Sequence, residues 1–272
     1  CEVCALPADS QSLICEMEDP QPTRKAEFPS LGSILADLKS SLAPLSLGPL
    51  VSTASHRDCK PSCALIFMHG LGDKEHGWAD ALEDDFKVDP NYEVGACRFL
   101  LPRAPTQFVT CHQDRMTSWF DFLKLPLKSS DGLPSHGASV EEAVASCGRV
   151  HAAIDSAIGE GIAAERIVLG GFSQGGSMAL LSALTYPRKL GGVIIFSGVF
   201  FFDDVLARLP RRELQIFWGH GSGDNVLDVS LQSAGVARLT ALGHCVVSKQ
   251  YPTAHSITPH EMEDATEFFA QV

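Results

Sequence analysis

The sequence lacks any long apolar run, and none approaches the ~18 residues that a membrane-spanning helix needs. Its first residues also lack the apolar stretch of a secretory signal peptide. Positive charge is scarce, because 21 Lys and Arg stand against 33 Asp and Glu, a formal net charge of -12. Such a surface excludes nucleic acid as a partner and disfavours electrostatic attachment to anionic lipid. A membrane surface is therefore at most a transient contact.

Metal-binding motifs are also scarce. Cys1 and Cys4 form a CxxC pair, but no second pair completes a zinc site, so we expect no metal. The nine cysteines are an odd number scattered along a large chain. That pattern indicates reduced thiols in a cytoplasmic setting rather than a disulfide framework. The chain does not begin with Met, which is consistent with a fragment or a processed form, and no pattern defines its oligomeric state.

The composition changes near residue 58. Residues 1–58 are rich in Pro, Ser and acidic residues, so we expect an N-terminal extension that is largely disordered. Residues 31–45 could add one short amphipathic helix. Over 59–272, short apolar runs alternate with helix-period segments, which predicts one folded domain. The motifs described below make it the expected catalytic domain.

Six short apolar runs predict β-strands, and most are apolar throughout, as in a parallel sheet covered on both faces. They span residues 63–68, 97–101, 166–170, 193–197, 214–218 and 245–251. Helices lie between them, two of which begin at capping boxes formed by Ser139 and Thr258. This alternation predicts an α/β fold with a mostly parallel central sheet and helices on both faces. Ligands in such folds bind beyond the carboxyl ends of the strands.

A Ser between two glycines is the first candidate for chemistry. The segment LGGFSQGGSMAL places Ser173 after the strand 166–170 and before a helix. That is the setting of the G-x-S-x-G nucleophile elbow, whose tight turn raises the Ser hydroxyl above the sheet. A chance G-x-S-x-G in a Gly-rich chain would lack this context, so Ser173 is the candidate nucleophile.

A Ser hydroxyl needs a base, and the base needs a carboxylate to orient it, here in the chain order Ser, Asp, His. His255, in the loop between the last strand and the last helix, is the candidate base. Asp224 follows the strand 214–218 and would hold the His tautomer without taking the proton. Competing acids are Asp228, Asp203 and Asp204. Three other histidines are interpreted as helix-start or turn residues: His260, His220 and His244.

Two backbone N–H groups are expected to hold the oxyanion. One belongs to Gln174, the residue after the nucleophile. The other should come from HGLGD, after the strand 63–68, where glycines let the backbone turn inward. Leu71 is the expected donor and Gly70 the alternative.

In this order, the segments FMHGLGDKEHGWAD, LPRAPTQFVT, SWFD, RIVLGGFSQGGSMAL, GHGSGDNV and AHSI resemble the acyl-protein thioesterase/carboxylesterase family of α/β hydrolases. The resemblance covers about residues 58–271. It implies the α/β-hydrolase fold, the same triad and oxyanion donors, no cofactor, and acyl esters or thioesters as substrates. S-palmitoylated proteins and lysophospholipids are among these. The expected activity is a serine hydrolase that depalmitoylates proteins, and the alternative is a general carboxylesterase or lysophospholipase.

Two segments stand out against the family pattern. The family usually has Asp-Pro-x-Val-Pro around its triad Asp, whereas residues 224–228 read DNVLD and lack both prolines, which keeps Asp228 as an alternative acid. After SWFD, the apolar segment FLKLPLKSSDGLPSHG suggests either an acyl-channel wall or additional core packing. The expected substrate-binding residues are Trp119, Leu123 and Leu125.

Overall fold

The computed structural model describes residues 50–54, 60–86, 97–131, 138–201 and 213–272. The helix expected over 31–45 and the competing acids Asp203 and Asp204 lie outside these residues.

Within the described residues, seven strands form the central sheet. They are β1 Leu50–Ala54, β2 Cys63–Met68, β3 Cys97–Pro102, β6 Ile167–Phe172, β7 Gly192–Phe196, β8 Gln215–Gly221 and β9 Cys245–Tyr251. A separate antiparallel hairpin consists of β4 Thr106–Val109 and β5 Asp114–Thr117. The sheet order is β1-β3-β2-β6-β7-β8-β9, and every pair is parallel except β1 with β3. The prediction of a mostly parallel sheet is confirmed.

The edge strand β1 lies before residue 59, the expected start of the catalytic domain. It pairs with β3 in the register Leu50↔Pro102 to Ala54↔Arg98. The sheet therefore reaches into the segment that composition assigned to the extension. Five residues without a long apolar run are enough for an edge strand, because its partner supplies the backbone hydrogen bonds.

Five helices pack against the sheet within the described residues. They are α1 Glu75–Asp85, α2 Val140–Gly159, α3 Gln174–Thr185, α4 Ser230–Ala241 and α5 Pro259–Gln271. Buried side chains of α1 and α5 cluster on one face of the sheet, and those of α2, α3 and α4 cluster on the other. Helices on both faces are thus confirmed. None of these helices combines the length and apolarity needed to cross a bilayer.

The two predicted capping boxes have different outcomes. Thr258 and Glu261 make both reciprocal bonds at the start of α5, with Pro259 in its first turn, which confirms the prediction. At α2, the Ser139 hydroxyl accepts a hydrogen bond from the Glu142 amide at 3.3 Å. The Glu142 carboxylate instead accepts one from the amide of Asp121 at 2.6 Å. This helix start is therefore tied to the SWFD segment, and only half of its capping box forms.

Candidate active site

Ser173 sits on a strained turn between β6 and α3. Its φ of 56° and ψ of -119° are unfavourable for a residue with a side chain. The Ser173 amide donates to the Phe196 carbonyl of β7 at 2.8 Å, which anchors the turn to the sheet. Gly175 lies so close to the Met68 carbonyl at the end of β2 that a Cβ there would overlap it. The elbow is therefore packed directly against the loop that follows β2.

Three of the expected side chains meet at the carboxyl edge of the sheet. His255 Nε2 lies 2.9 Å from Ser173 Oγ, and His255 Nδ1 lies 2.6 Å from Asp224 Oδ2. The Ser173 side chain and the Asp224 carboxylate are buried, whereas the His255 side chain keeps 16% of its surface exposed. With Nδ1 donating to the carboxylate, Nε2 is free to accept the Ser173 proton.

The loop of Asp224 replaces the missing prolines with hydrogen bonds. Asp224 Oδ1 accepts from the amides of Val226 and Leu227, both at 2.9 Å. Leu127 bridges to this loop, because its amide donates to the Val226 carbonyl at 2.9 Å and its carbonyl accepts from the Asp228 amide at 3.0 Å. A proline at position 228, as the family pattern has, could not donate that last bond.

Asp228, the competing acid, has another partner. Its Oδ1 accepts from the amide of Ser230 at 3.0 Å, at the start of α4. An acidic side chain there compensates the orphan amides of a helix N-terminus. The structure therefore brings Asp224 to the histidine and leaves the Asp228 carboxylate bonded to the first amide of α4.

His220 occupies a different place from the turn that was expected. It lies within β8, is wholly buried, and its Nε2 donates to the Leu227 carbonyl at 2.7 Å. The same nitrogen lies 3.3 Å from Asp224 Oδ2, so the carboxylate has an imidazole on either side. Burial would raise the pKa of Asp224, but hydrogen bonds from His220, His255 and the Leu227 amide outweigh it and hold that pKa well below its usual range. Asp224 is therefore ionised throughout the physiological range.

The other histidines stand apart from the triad residues. His260 is largely exposed on α5, with Nδ1 3.3 Å from Glu263, and His244 precedes β9. These positions agree with the helix-start and turn interpretations made for them.

The loop after β2 is held by His69. His69 Nε2 accepts from the Ala104 amide at 3.1 Å, which places the ring proton on Nδ1. Nδ1 then donates to the Gly70 carbonyl at 2.8 Å, and the Asp73 amide donates to the same oxygen at 3.2 Å. In a trans peptide the N–H points opposite to the preceding C=O, so the Leu71 N–H is directed away from these groups. Burial lowers the pKa of His69, so the ring stays neutral as this pattern requires.

The second expected donor, the Gln174 amide, is the first of α3. Helix geometry leaves it without an intrahelical acceptor, and it carries the positive end of the helix dipole. The buried Gln174 side chain reaches into SWFD, where Oε1 accepts from the Trp119 amide at 2.9 Å and Nε2 donates to the Phe120 carbonyl at 2.7 Å. The nucleophile elbow and the SWFD segment therefore stabilise each other's positions through these two hydrogen bonds.

Trp119 requires a correction. Expected on the substrate wall, it is wholly buried in the core, and its indole N–H donates to the His69 carbonyl at 2.9 Å. It supports the loop after β2 through this bond and does not line the cavity described next.

An apolar cavity of about 450 Å³ opens beside Ser173, and we refer to it as the acyl cavity. Its walls include Leu71, Phe122, Leu125, Pro126, Val226 and Leu227, with Phe172 and His255 at one side. Leu125 thus lies where a substrate-binding residue was expected. Leu123 does not: its side chain is 51% exposed and absent from the cavity wall. Within the described residues, no three His, Cys, Asp or Glu side chains cluster so as to hold a metal ion.

The fold and this site define an α/β hydrolase. The chain belongs to the Phospholipase/Carboxylesterase family, which matches residues 52–272. Among curated relatives, an acyl-protein thioesterase 1 of Gibberella zeae is 34% identical over 229 residues, which cover 82% of this chain and 94% of the relative. The carboxylesterase SOBER1 of Arabidopsis thaliana is 35% identical over 204 residues, 73% of this chain and 86% of the relative.

Solved structures show the same fold. The crystal structure of Arabidopsis thaliana SOBER1 superposes with a TM-score of 0.69 at 29% identity, covering 77% of this chain and 98% of that one. Zea mays acyl-protein thioesterase 2 superposes with a TM-score of 0.65 at 21% identity, covering 81% and 98%. The second likeness concerns the fold alone.

Proposed function

We propose that this protein is a serine hydrolase that removes long acyl chains from cysteine thioesters of S-acylated proteins. The observation that carries the proposal is the hydrogen-bonded series Ser173–His255–Asp224 at the mouth of an apolar cavity of about 450 Å³. A nucleophile, a base and a carboxylate in this arrangement suit acyl transfer. An apolar cavity suits a hydrocarbon chain, because each buried CH₂ contributes ~0.8 kcal/mol.

In the acylation step, Ser173 Oγ attacks the thioester carbonyl carbon while His255 Nε2 accepts its proton. The Leu71 and Gln174 amides donate to the oxygen that becomes negative, and Asp224 stabilises the imidazolium without taking its proton. As the tetrahedral intermediate collapses, the carbon–sulfur bond breaks and His255 returns the proton to the departing sulfur. The products are a free thiol and an acyl ester on Ser173.

In the deacylation step, water takes the place of the thiol. His255 removes a proton from the water as its oxygen attacks the acyl-Ser173 carbonyl, and the same two amides hold the oxyanion. The ester bond then breaks, His255 protonates Ser173 Oγ, and the fatty acid leaves. This sequence consumes one water and draws on no cofactor.

The names of the relatives bear on the choice of substrate. The relative from Gibberella zeae is named an acyl-protein thioesterase, whereas SOBER1 is named a carboxylesterase. The second name supports an alternative in which the same chemistry acts on small carboxyl esters or lysophospholipids. We favour S-acylated proteins because the cavity wall of Leu, Val and Phe side chains suits a long chain.

We also propose a cytoplasmic location. Four of the described cysteines are free thiols: Cys63, Cys111, Cys147 and Cys245. Unpaired cysteines in this number are typical of a reducing compartment.

The first test replaces the nucleophile. We expect Ser173→Ala to abolish labelling by a fluorophosphonate probe and to lower thioesterase activity by at least 10³-fold, because the remaining groups supply only residual catalysis. Ser156→Ala, on the outer part of α2, is the matched control and should label like the wild type. Labelling of the Ser173→Ala protein at the normal rate would refute the assignment of the nucleophile.

The second test separates the two substrate classes. We expect wild-type kcat/KM to be higher for a palmitoyl-cysteine peptide than for a lysophospholipid, and to rise with chain length along a series of acyl p-nitrophenyl esters. A preference for acetyl and butyryl esters would instead support the general carboxylesterase.

A further inference from the structure

A second apolar cavity of about 380 Å³ lies behind His255. Trp78 and Ala81 of α1 form one wall, and Ile257, Pro259 and Met262 at the start of α5 form another. It shares only Phe172 and His255 with the acyl cavity. Apart from His255, its wall contains no charged side chain among the described residues.

Phe172 and His255 form a partition between the two cavities. The Phe172 ring lies 4.8 Å from the His255 ring on one side and 5.4 Å from the Trp78 ring on the other, measured between centroids. The Trp78 indole is itself fixed, because its N–H donates to Asp73 at 3.3 Å. The partition is therefore a packed row of three rings with a cavity on either side.

In acyl transfer, the acyl group and the leaving group occupy different places, and the two cavities differ in which catalytic groups they contain. The acyl cavity includes Ser173 and the expected oxyanion donor Leu71 in its wall, whereas the second cavity includes neither. The departing group must pass His255, because His255 Nε2 delivers its proton. Of the two spaces that border His255, the second is the one without Ser173 in its wall, which makes it the candidate for the body of that group.

We propose that the second cavity is a leaving-group subsite that binds an apolar group attached to the departing thiol or alcohol. This inference depends on the proposed function. In an S-acylated protein, the occupant would be an apolar side chain next to the acylated cysteine, since most of the wall is apolar and, His255 apart, it has no charged side chain to pair with a charged occupant. The subsite would then select among the amino-acid sequences around the acylated cysteine, while the acyl cavity selects the length of the acyl chain.

The test holds the acyl group constant and varies the thiol. Octanoyl thioesters of benzyl mercaptan and of 2-mercaptoethanol have leaving thiols of similar acidity but different apolar bulk. We expect wild-type kcat/KM to favour the benzyl thioester by about tenfold or more, because even one methylene group in an apolar pocket changes kcat/KM by about that factor. A wild-type ratio near one would overturn the proposal.

Variants locate the effect. Ala81→Phe fills the second cavity and should bring the ratio of benzyl to mercaptoethanol thioester close to one. Ala81→Leu, which fills less of the cavity, should give an intermediate ratio and replaces the Phe variant if that variant does not fold. His76→Phe adds the same ring to α1 at a position that is 76% exposed, and should keep the wild-type ratio. Val226→Phe, in the acyl cavity, should reduce the preference for long acyl chains and leave the thiol ratio unchanged.

Three outcomes would contradict the subsite in different ways. If Ala81→Phe changes acyl chain-length preference and not the thiol ratio, the second cavity binds the acyl chain. If Ser173 still reacts with the fluorophosphonate probe but Ala81→Phe changes neither the thiol ratio nor the acyl chain-length preference, the subsite is wrong and the proposed function stands. If no acyl ester is hydrolysed and Ser173 does not label, both fail together.

Discussion

At the scale of single residues, His69 shows how a side chain outside the proposed triad can orient the amide that we propose as an oxyanion donor. Its ring is buried and neutral, and each nitrogen has one defined role: Nε2 accepts from Ala104 and Nδ1 donates to Gly70. Protonation would put a hydrogen on Nε2 facing the Ala104 N–H, so the pattern needs the neutral form. The orientation of the Gly70–Leu71 peptide therefore depends on the tautomer of a histidine that touches no substrate.

We expect His69→Leu to lower kcat by about 100-fold with little change in KM, because the Leu71 amide would lose its orientation. His69→Asn keeps a donor near the Nδ1 position and should recover a substantial part of that loss. The measurement is steady-state kinetics on a p-nitrophenyl ester, with affinity for a trifluoromethyl ketone falling in parallel. Wild-type kcat in the Leu variant would show that the ring does not position the amide.

The meeting of the three residues proposed for the chemistry was easier to predict from sequence than the positions of the residues that support them. Ser173, Asp224 and His255 follow strands in the required order, so topology alone brings them to one edge of the sheet. His220 was missed because the glycines beside it suggested a turn. Its signal was its position in a buried run, IFWGHG, since a polar side chain in a strand covered on both faces needs a partner.

Trp119 was misplaced for a related reason. An aromatic residue beside a predicted acyl site fits a wall and a core equally well, and only the three-dimensional contacts decide between them. Its indole N–H and its amide both bond to the candidate site's scaffold, through His69 and Gln174. No periodicity in the sequence encodes these contacts.

At the scale of elements, the elbow depends on the close approach of α3 to the end of β2. We expect Gly175→Ala to destabilise the protein by about 2 kcal/mol or more, because the added methyl would displace the Met68 carbonyl and the loop that follows. Fluorophosphonate labelling of Ser173 should slow in parallel. Chemical denaturation gives the first quantity and probe kinetics the second.

Gly77 on α1 provides the matched control for this prediction. A Cβ added there would meet no atom within 4 Å, so Gly77→Ala should stabilise the helix by about 0.5–1 kcal/mol. Equal effects of the two substitutions would mean that the close approach at Gly175 does not constrain the elbow.

Continuous apolar runs allowed the buried strands to be predicted to within three residues at each end, and β2 matches its predicted bounds. The hairpin β4–β5 and the edge strand β1 had no such signal. The hairpin is largely exposed, so its residues need not be apolar, and its pairing partner is its own second strand. Strands that bury little surface need few apolar residues, so their sequences lack the hydrophobic pattern by which strands are predicted.

At the scale of the whole molecule, buried ionisable groups make stability depend on pH. Burial raises the pKa of Glu261 to about 8 from its ordinary value of 4.5, with the charge of Asp264 adding to the effect. The folded protein therefore keeps this proton in a range where the unfolded chain has lost it. Its contribution to stability is present below pH 4.5 and is lost as the pH rises towards 8.

We expect Glu261→Gln to gain stability relative to the wild type as the pH rises from 5 to 8, by on the order of 3 °C in Tm. Glutamine cannot ionise, and its oxygen can still accept the Thr258 amide of the capping box. Other titrating groups are common to both proteins and cancel in the difference. Tm values that run parallel across this range would contradict a buried, protonated Glu261.

The acyl cavity and the triad share a structural support. Leu127 is hydrogen-bonded to Val226 and Asp228, so the segment that carries Leu125 and Pro126 is joined to the loop that carries Asp224. A close-packed wall transmits displacement rather than absorbing it. Under the proposed function, an acyl chain that fills this cavity would therefore press on the loop that carries Asp224, the partner of His255. Acyl chain length should then change the rate of turnover as well as the affinity for the substrate, because the surface that contacts the chain is hydrogen-bonded to the loop that holds the carboxylate.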